Sequence, residues 1–122
     1  MGYRPIIGIS MGDPAGNGPE ITVKALNNRE IYDRCRPIMI GDAKMLEQAK
    51  KYVNLPNIKI NPVTSISEAQ FNPGTIDVYQ LDLIKDVNSF EIGKISKEGG
   101  NAAFQSVKKL IELAMAGEVD AT

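Results

Sequence analysis

Apolar positions along the chain follow two alternating rhythms. The run "PIIGIS", Pro5 to Ser10, is short and β-branched, which predicts a buried strand. A Gly/Pro-rich loop follows. Ile21, Val23, Ala25 and Leu26 then give an apolar face that predicts a short helix from Pro19 to about Asn28. Pro19 suits the first helical position, where a missing N–H leaves no bond unmade. The pattern then repeats. Pro37 to Ile40 predicts a second strand, Gly41 turns the chain, and Asp42 is placed to cap a helix whose inner face is Leu46, Ala49 and Val53. Lys44, Glu47, Lys50 and Lys51 flank that face. "IKINPV" predicts a third, weaker strand. Asn72-Pro73-Gly74 is turn chemistry, and "TIDVYQL" has the composition of a fourth strand.

From Asp82 to Ile95 the periodicity lapses. Leu83, Ile84, Val87, Phe90 and Ile92 are too apolar for a solvated linker, so this stretch is expected to pack on its own domain or on a partner. The strongest helical signal runs from Lys97 to Ala116, with Ala103, Val107, Leu110, Ile111 and Ala114 at helical spacing and Gly117 as the stop. "EVDAT" then opens what reads as another strand. A strand usually runs about five or six residues, so the chain reads as the amino-terminal part of a longer α/β/α domain. A short edge strand at a true carboxyl terminus is the alternative. Strand and helix alternating across short turns predict a three-layer α/β/α architecture with a mostly parallel, incomplete sheet. In such folds ligands bind beyond the carboxyl ends of the strands, and the Gly/Pro loop follows the first strand there.

Composition narrows the function classes. With 122 residues there is room for one small domain. A net charge of −1 lacks the basic footprint of a nucleic-acid binder. No apolar run approaches the roughly 20 residues of a membrane span. Arg4 ahead of a very short apolar run gives no secretory signal, and Ile6 stands where myristoylation needs Ser or Thr. A single cysteine, Cys35, fits a reducing, cytoplasmic setting. Histidine is absent, so Ser-His-Asp and Cys-His chemistry is excluded within this chain, and acid–base work would fall to carboxylates, Lys or Tyr.

Two glycine-bearing segments stand out. Gly12, Gly16 and Gly18 are spaced G-x-x-x-G-x-G, which is neither the dinucleotide fingerprint nor a P-loop. The loop runs onto a helix N-terminus, where backbone N–H groups and the dipole favour an anion. Asp13 and Glu20 lie at the same end and would repel a phosphate unless they cap the helix or bind a cationic or hydroxyl group. A plain strand-to-helix turn remains open. In the second segment, Gly93 to Phe104, Gly99-Gly100 falls in the first turn of the long helix, Ser96 is placed to cap it and Glu98 suits its positive end. Paired glycines there suggest close approach of a backbone, a ligand or a partner chain. Tyr32, Tyr52, Tyr79 and Lys94 have no acid–base partner identifiable from spacing, and Asp82 and Asp86 read as solvated charge. No metal-ligand cluster is apparent.

These residues carry a resemblance. "ISMGDPAGNGPEI" resembles the opening motif of the 4-hydroxythreonine-4-phosphate dehydrogenase family, and "GKISKEGGNAAFQSVKKLIELAMAGEVDAT" is similar to that family's next shared block. The resemblance spans the whole chain but only about the first third of a family member. It implies an NAD- or NADP-dependent homodimer of vitamin B6 (pyridoxal phosphate) biosynthesis, with two α/β/α domains similar to isocitrate and isopropylmalate dehydrogenases. Such an enzyme oxidises the secondary alcohol of 4-phosphohydroxy-L-threonine, and the β-keto acid then loses carbon dioxide. A divalent metal (Zn, Mg or Co) serves as Lewis acid in the interdomain cleft. The family's metal ligands are histidines, which this chain lacks, so the resemblance places them beyond Thr122 and implies that this chain alone is inactive. Gly12, Asp13, Pro14, Ala15, Gly16, Gly18, Pro19 and Glu20 match the first block, and Ser96, Glu98, Gly99 and Gly100 the second. Of these, Gly12, Asp13, Gly16, Gly18, Glu98, Gly99 and Gly100 are expected to line the cofactor or substrate pocket, with no catalytic or metal residue in this chain. Relatives acting on threonate or erythronate 4-phosphate are the alternative within the family, and a non-catalytic binding or assembly module is the alternative outside it.

Overall fold

The computed structural model describes residues 3–89 and 93–122. Four parallel strands form one sheet: β1 (Ile6–Ser10), β2 (Arg36–Gly41), β3 (Lys59–Val63) and β4 (Thr75–Gln80), in the order β1-β2-β4-β3. The helices are α1 (Gly18–Leu26), α2 (Arg29–Arg34), α3 (Ala43–Tyr52) and α4 (Lys97–Met115). The register pairs Gly8 with Ile38 and Met39 with Val78.

Strand β2 shows why the sheet needs two covers. Its residues from Pro37 to Gly41 are buried in succession, as expected of a parallel strand covered on both faces. Met39 joins one core cluster with Val23, Leu26, Leu46, Ala49 and Val78. Its neighbours Ile38 and Ile40 point the other way, into a cluster with Leu110, Leu113 and Val119. Alternation along one strand thus builds the three layers: α1 and α3 on one face, α4 on the other. Each of these large side chains, fully buried, contributes roughly 1.5–3 kcal/mol.

The structure corrects the expected faces of two helices and adds a further helix. In α1 the buried residues are Pro19, Thr22, Val23 and Leu26, while Ile21 is 62% exposed and Ala25 is also exposed. A second short helix, α2, follows at once, capped by the Asn28 side chain accepting from the Glu30 N–H at 3.0 Å. In α4 the inward stripe is Gly99, Ala102, Ser106, Leu110 and Leu113. Of the residues expected inward, only Leu110 is buried; Phe104, Val107, Ile111 and Met115 form an exposed apolar stripe on the outer face. The sequence pattern was ambiguous because α4 is apolar on both faces, and small residues mark the buried one.

Leu83, Ile84 and Val87 pack on the α1–α3 core, so the irregular stretch is docked on its own domain that far. Phe90 and Ile92 lie outside the described residues. Asp82, expected to be solvated, is exposed but accepts a hydrogen bond from the Lys44 ammonium at 2.9 Å. The Asp86 carboxylate accepts from the Asn88 N–H at 2.9 Å.

Beyond α4, Gly117 takes a positive φ of 76° and stops the helix. The chain then reaches the outer edge of β1, where Ala121 forms a parallel bridge with Ile7 and the Gly8 N–H donates to the Ala121 carbonyl at 2.9 Å. Asp120 fastens this edge: its carboxylate accepts from the Ile6 N–H at 2.8 Å and the Tyr3 hydroxyl at 2.7 Å. The Ile6 N–H, then the Tyr3 hydroxyl, hold the Asp120 carboxyl below its usual range. A depressed carboxyl pKa adds stability above the unfolded value near 3.9, and that stability is lost as pH falls through the folded value. Asp120→Ala should therefore speed hydrogen exchange at the Gly8 amide at neutral pH. In the unsubstituted chain the same opening should appear only on acidification into the carboxylate range.

Candidate functional site

The carboxyl edge of the sheet is assembled from three strand ends. At the end of β1, Met11 is fully buried and its N–H donates to the Ile40 carbonyl at 3.0 Å, which fixes the loop's first residue to β2. Gly12 then turns at φ +75°, where an added methyl would meet nothing within 4 Å. Asp13 folds the loop on itself. Its carboxylate accepts from the Ala15 N–H at 2.8 Å, and its carbonyl accepts from the Gly16 N–H at 2.9 Å. Both are turn bonds of the kind Asp favours. Gly18 opens α1 against the Met11 carbonyl, and a methyl there would collide with that backbone oxygen. Asn17, at the helix start, makes no side-chain cap.

The second glycine-bearing segment docks directly on the first. The Gly93 N–H donates to the Ala15 carbonyl at 2.8 Å. Ser96 caps α4, its hydroxyl accepting from the Gly99 N–H at 3.0 Å. Gly99 is buried with its α-carbon against Asp13, so that an added methyl would lie 2.6 Å from the Asp13 Oδ1 and 2.9 Å from the Ser96 Oγ. Gly100 is exposed, with nothing within 4 Å of such a methyl. The intolerance of bulk expected of the pair therefore belongs to Gly99 alone. Glu98 is exposed in the first turn, at the positive end of the helix. Of the seven expected pocket residues, Asp13 and Gly99 are brought together from the two segments, Gly12, Gly16 and Gly18 share the loop with Asp13, and Glu98 and Gly100 are exposed.

A polar network beside this surface went unread in the sequence. Asp42 is fully buried and does more than cap α3. Its Oδ1 accepts from the Lys44 N–H and the Gln80 side-chain amide, each at 3.0 Å, and its Oδ2 from the Ile84 N–H at 2.9 Å. Lys44 bridges to the Asp82 carboxylate and to the Ile84 carbonyl at 2.6 Å, and the bond to Asp82 raises its pKa. Asp82 follows β4 at φ +52°, outside the usual range for its residue type. The only sequence signal was Asp42 before a helix, and capping already accounted for it.

The tyrosines considered as acids or bases do not converge. Tyr32 donates to the Thr75 carbonyl at the amino end of β4, and burial, then Asp77, push its pKa up to about 12. Tyr79 faces Lys109 at 5.9 Å. Tyr52 rims a crevice of about 20 Å³ between the first loop and α3, floored by Pro14 and Met45, with room for about one water. Among the described residues no group of three His, Cys, Asp or Glu side chains could hold a metal ion. The described residues include no helix long and apolar enough to cross a membrane.

Comparison with known proteins decides the family. The family profile for the pyridoxal phosphate biosynthetic protein PdxA matches residues 33–122. The chain belongs to the PdxA family. A Clostridium botulinum relative, provisionally named D-threonate 4-phosphate dehydrogenase, is 48% identical over 118 residues, which is 97% of this chain and 35% of the relative. A Symbiobacterium thermophilum relative with the same provisional name is 43% identical over 121 residues, covering 99% of this chain and 36% of its own. Among solved structures, a 4-hydroxythreonine-4-phosphate dehydrogenase from Burkholderia phymatum superposes with a TM-score of 0.91 at 44% identity, covering 97% of this chain and 35% of that one. The chain thus spans about a third of the length of the PdxA-type proteins it matches, and the parallel α/β fold is theirs.

Proposed function

We propose that this chain is the amino-terminal third of an NAD(P)-dependent dehydrogenase acting on a four-carbon acid 4-phosphate. Its two docked glycine segments would form one wall of the cofactor and substrate cleft. The observation that carries the proposal is the docking of the two segments at the end of β1, through the Asp13–Gly99 contact and the Gly93–Ala15 hydrogen bond, in a chain similar to the Burkholderia enzyme along 97% of its length. A nicotinamide cofactor, when bound, supplies the hydride acceptor. This chain's residues would act by shape: Gly12 and Gly100 leave open backbone that a ligand can approach, and Pro14 and Ala15 are buried beneath the loop. No proton transfer is assigned to a residue of this chain. The divalent metal and its ligands would come from the remainder of a homodimeric, cytoplasmic enzyme.

Two substrates fit. The name of the solved Burkholderia structure supports 4-phosphohydroxy-L-threonine, the precursor in vitamin B6 synthesis. The relatives at 43–48% identity support D-threonate 4-phosphate. The two differ at the group beside the reacting alcohol, an amine in one and a hydroxyl in the other. Assay of the full-length protein on both, with NAD and NADP and a divalent metal, decides between them. Reduction of nicotinamide with either substrate is the expected result, and the 122-residue chain alone should give none. A folded full-length protein that oxidises neither substrate would overturn the proposal in favour of a binding module.

A further inference from the structure

We infer that Asp13 is a positioning residue, holding the entrance of α4 against the first loop so that two separate turns act as a single wall. The geometry stands by itself; its consequence for turnover rests on the dehydrogenase reading above. Asp13 engages both segments at once. Within its own loop its Oδ1 accepts from the Ala15 N–H at 2.8 Å, and Ala15 in turn accepts from Gly93 at 2.8 Å. Across the loop–helix boundary the same oxygen lies 2.6 Å from where a Gly99 methyl would stand. The Asp13 Oδ1 is thus the nearest atom that bars a side chain at Gly99, with the Ser96 hydroxyl second, and the Gly99 amide is taken by Ser96.

Charge points the same way. A carboxylate at the first turn of a 19-residue helix meets the positive end of the dipole. Asp13 places a fixed negative charge there from within the protein. The Asp13 carboxylate is engaged by the Ala15 N–H within its own loop and lies against Gly99 at the start of α4. Free movement of the α4 entrance would shift Glu98 and Gly100 relative to Gly12. Misplacement of about 1 Å in a binding wall can cost up to about 100-fold in rate.

The test is a cycle of substitutions in the full-length protein: Gly99→Ala, Asp13→Ala, Asp13→Asn and the double change Asp13→Ala/Gly99→Ala. Gly99→Ala alone should lower Tm by about 3 °C or more, as overpacking does. The double variant should melt only slightly lower than Asp13→Ala, because the nearer of the two oxygens that the methyl would strike is gone and the Ser96 hydroxyl, at 2.9 Å, is left to give way. Strictly additive Tm changes would overturn the contact. Asp13→Ala should also lower kcat/KM about tenfold per folded molecule, mostly in kcat, and the isosteric Asp13→Asn should restore it to within about threefold. Unchanged kcat/KM in a folded Asp13→Ala protein would overturn the positioning role. Should Asp13→Ala not fold, Asp13→Ser keeps a short acceptor for the Ala15 amide while clearing the space, and the same two readings apply. If the unsubstituted enzyme oxidises neither substrate, the functional proposal fails, while the melting cycle still reports on Asp13 and Gly99.

Discussion

Replacing Gly18 by alanine is expected to destabilise the protein by about 3 kcal/mol, at the upper end of what overpacking costs. The added methyl meets the carbonyl oxygen of Met11, which is backbone and cannot rotate aside. Met11 cannot yield either. Its N–H is bonded to the Ile40 carbonyl at 3.0 Å, and its side chain is fully buried beneath Gly41, where a further methyl would lie 2.6 Å from the Met11 Cβ. Loop, second strand and first helix are thus locked through one residue. Gly16→Ala is the matched control: its methyl would come within 3.2 Å of the Asp13 carbonyl, which a small shift relieves. The urea midpoint should fall sharply for Gly18→Ala and by less than half as much for Gly16→Ala. Equal shifts would show that the loop is not held where the structure places it.

The second large effect is expected at Asp42. Asp42→Ala removes a buried carboxylate and leaves the Ile84 N–H, the Gln80 amide and the Lys44 N–H without their acceptor. Stranded buried donors of this kind cost about 1–3 kcal/mol each when water cannot reach them. Two of the three are only part-buried, so a total of about 3 kcal/mol is expected. The loss should not be spread evenly. The Leu83–Val87 stretch is tied to the sheet through Ile84, so trypsin should cut first at Lys85 in the variant. Asp42→Asn keeps one acceptor oxygen and should lose about 1 kcal/mol. An Asp42→Ala protein with an unchanged midpoint and no new cleavage at Lys85 would contradict the network.

The succession of strands and helices along the chain was legible because Ile/Val runs and Gly/Pro punctuation mark buried strands directly, whereas the spatial order β1-β2-β4-β3 was not. β2 reads as a continuous apolar run, and Asp42 and Ser96 announce the two helices they cap. The rotational setting of α1 and α4 was not legible. Ile21, Val107 and Ile111 are large, apolar and exposed, while Thr22, Gly99 and Ser106 are small or polar and buried. Hydrophobicity alone orients such a helix wrongly, since close approach to the sheet selects for small size. α2 was missed because a six-residue helix has too little period to read. At the site, the glycine spacing marked both segments but could not show that they touch: Asp13 and Gly99 are far apart in the chain, and their contact exists only once α4 packs against β1 and β2. The role of Lys44 and Asp82 was hidden for the same reason.

Val107 and Ile111, on the outer face of α4, adjoin the Gly8–Ser10 end of β1 and Thr122. They sit on the face opposite α1 and α3, and the wall formed by Asp13 and Gly99 does not depend on them.

A single ligand-facing wall built from both glycine segments has a direct readout in hydrogen–deuterium exchange of the full-length protein, with and without NAD(P) and the 4-phosphorylated acid. Ligand should slow exchange together in the peptides covering Met11–Glu20 and Gly93–Asn101. The amino-edge turns around Leu55–Ile58 and Gly74 should not change. Protection confined to those amino-edge turns, or protection of one glycine segment without the other, would contradict it.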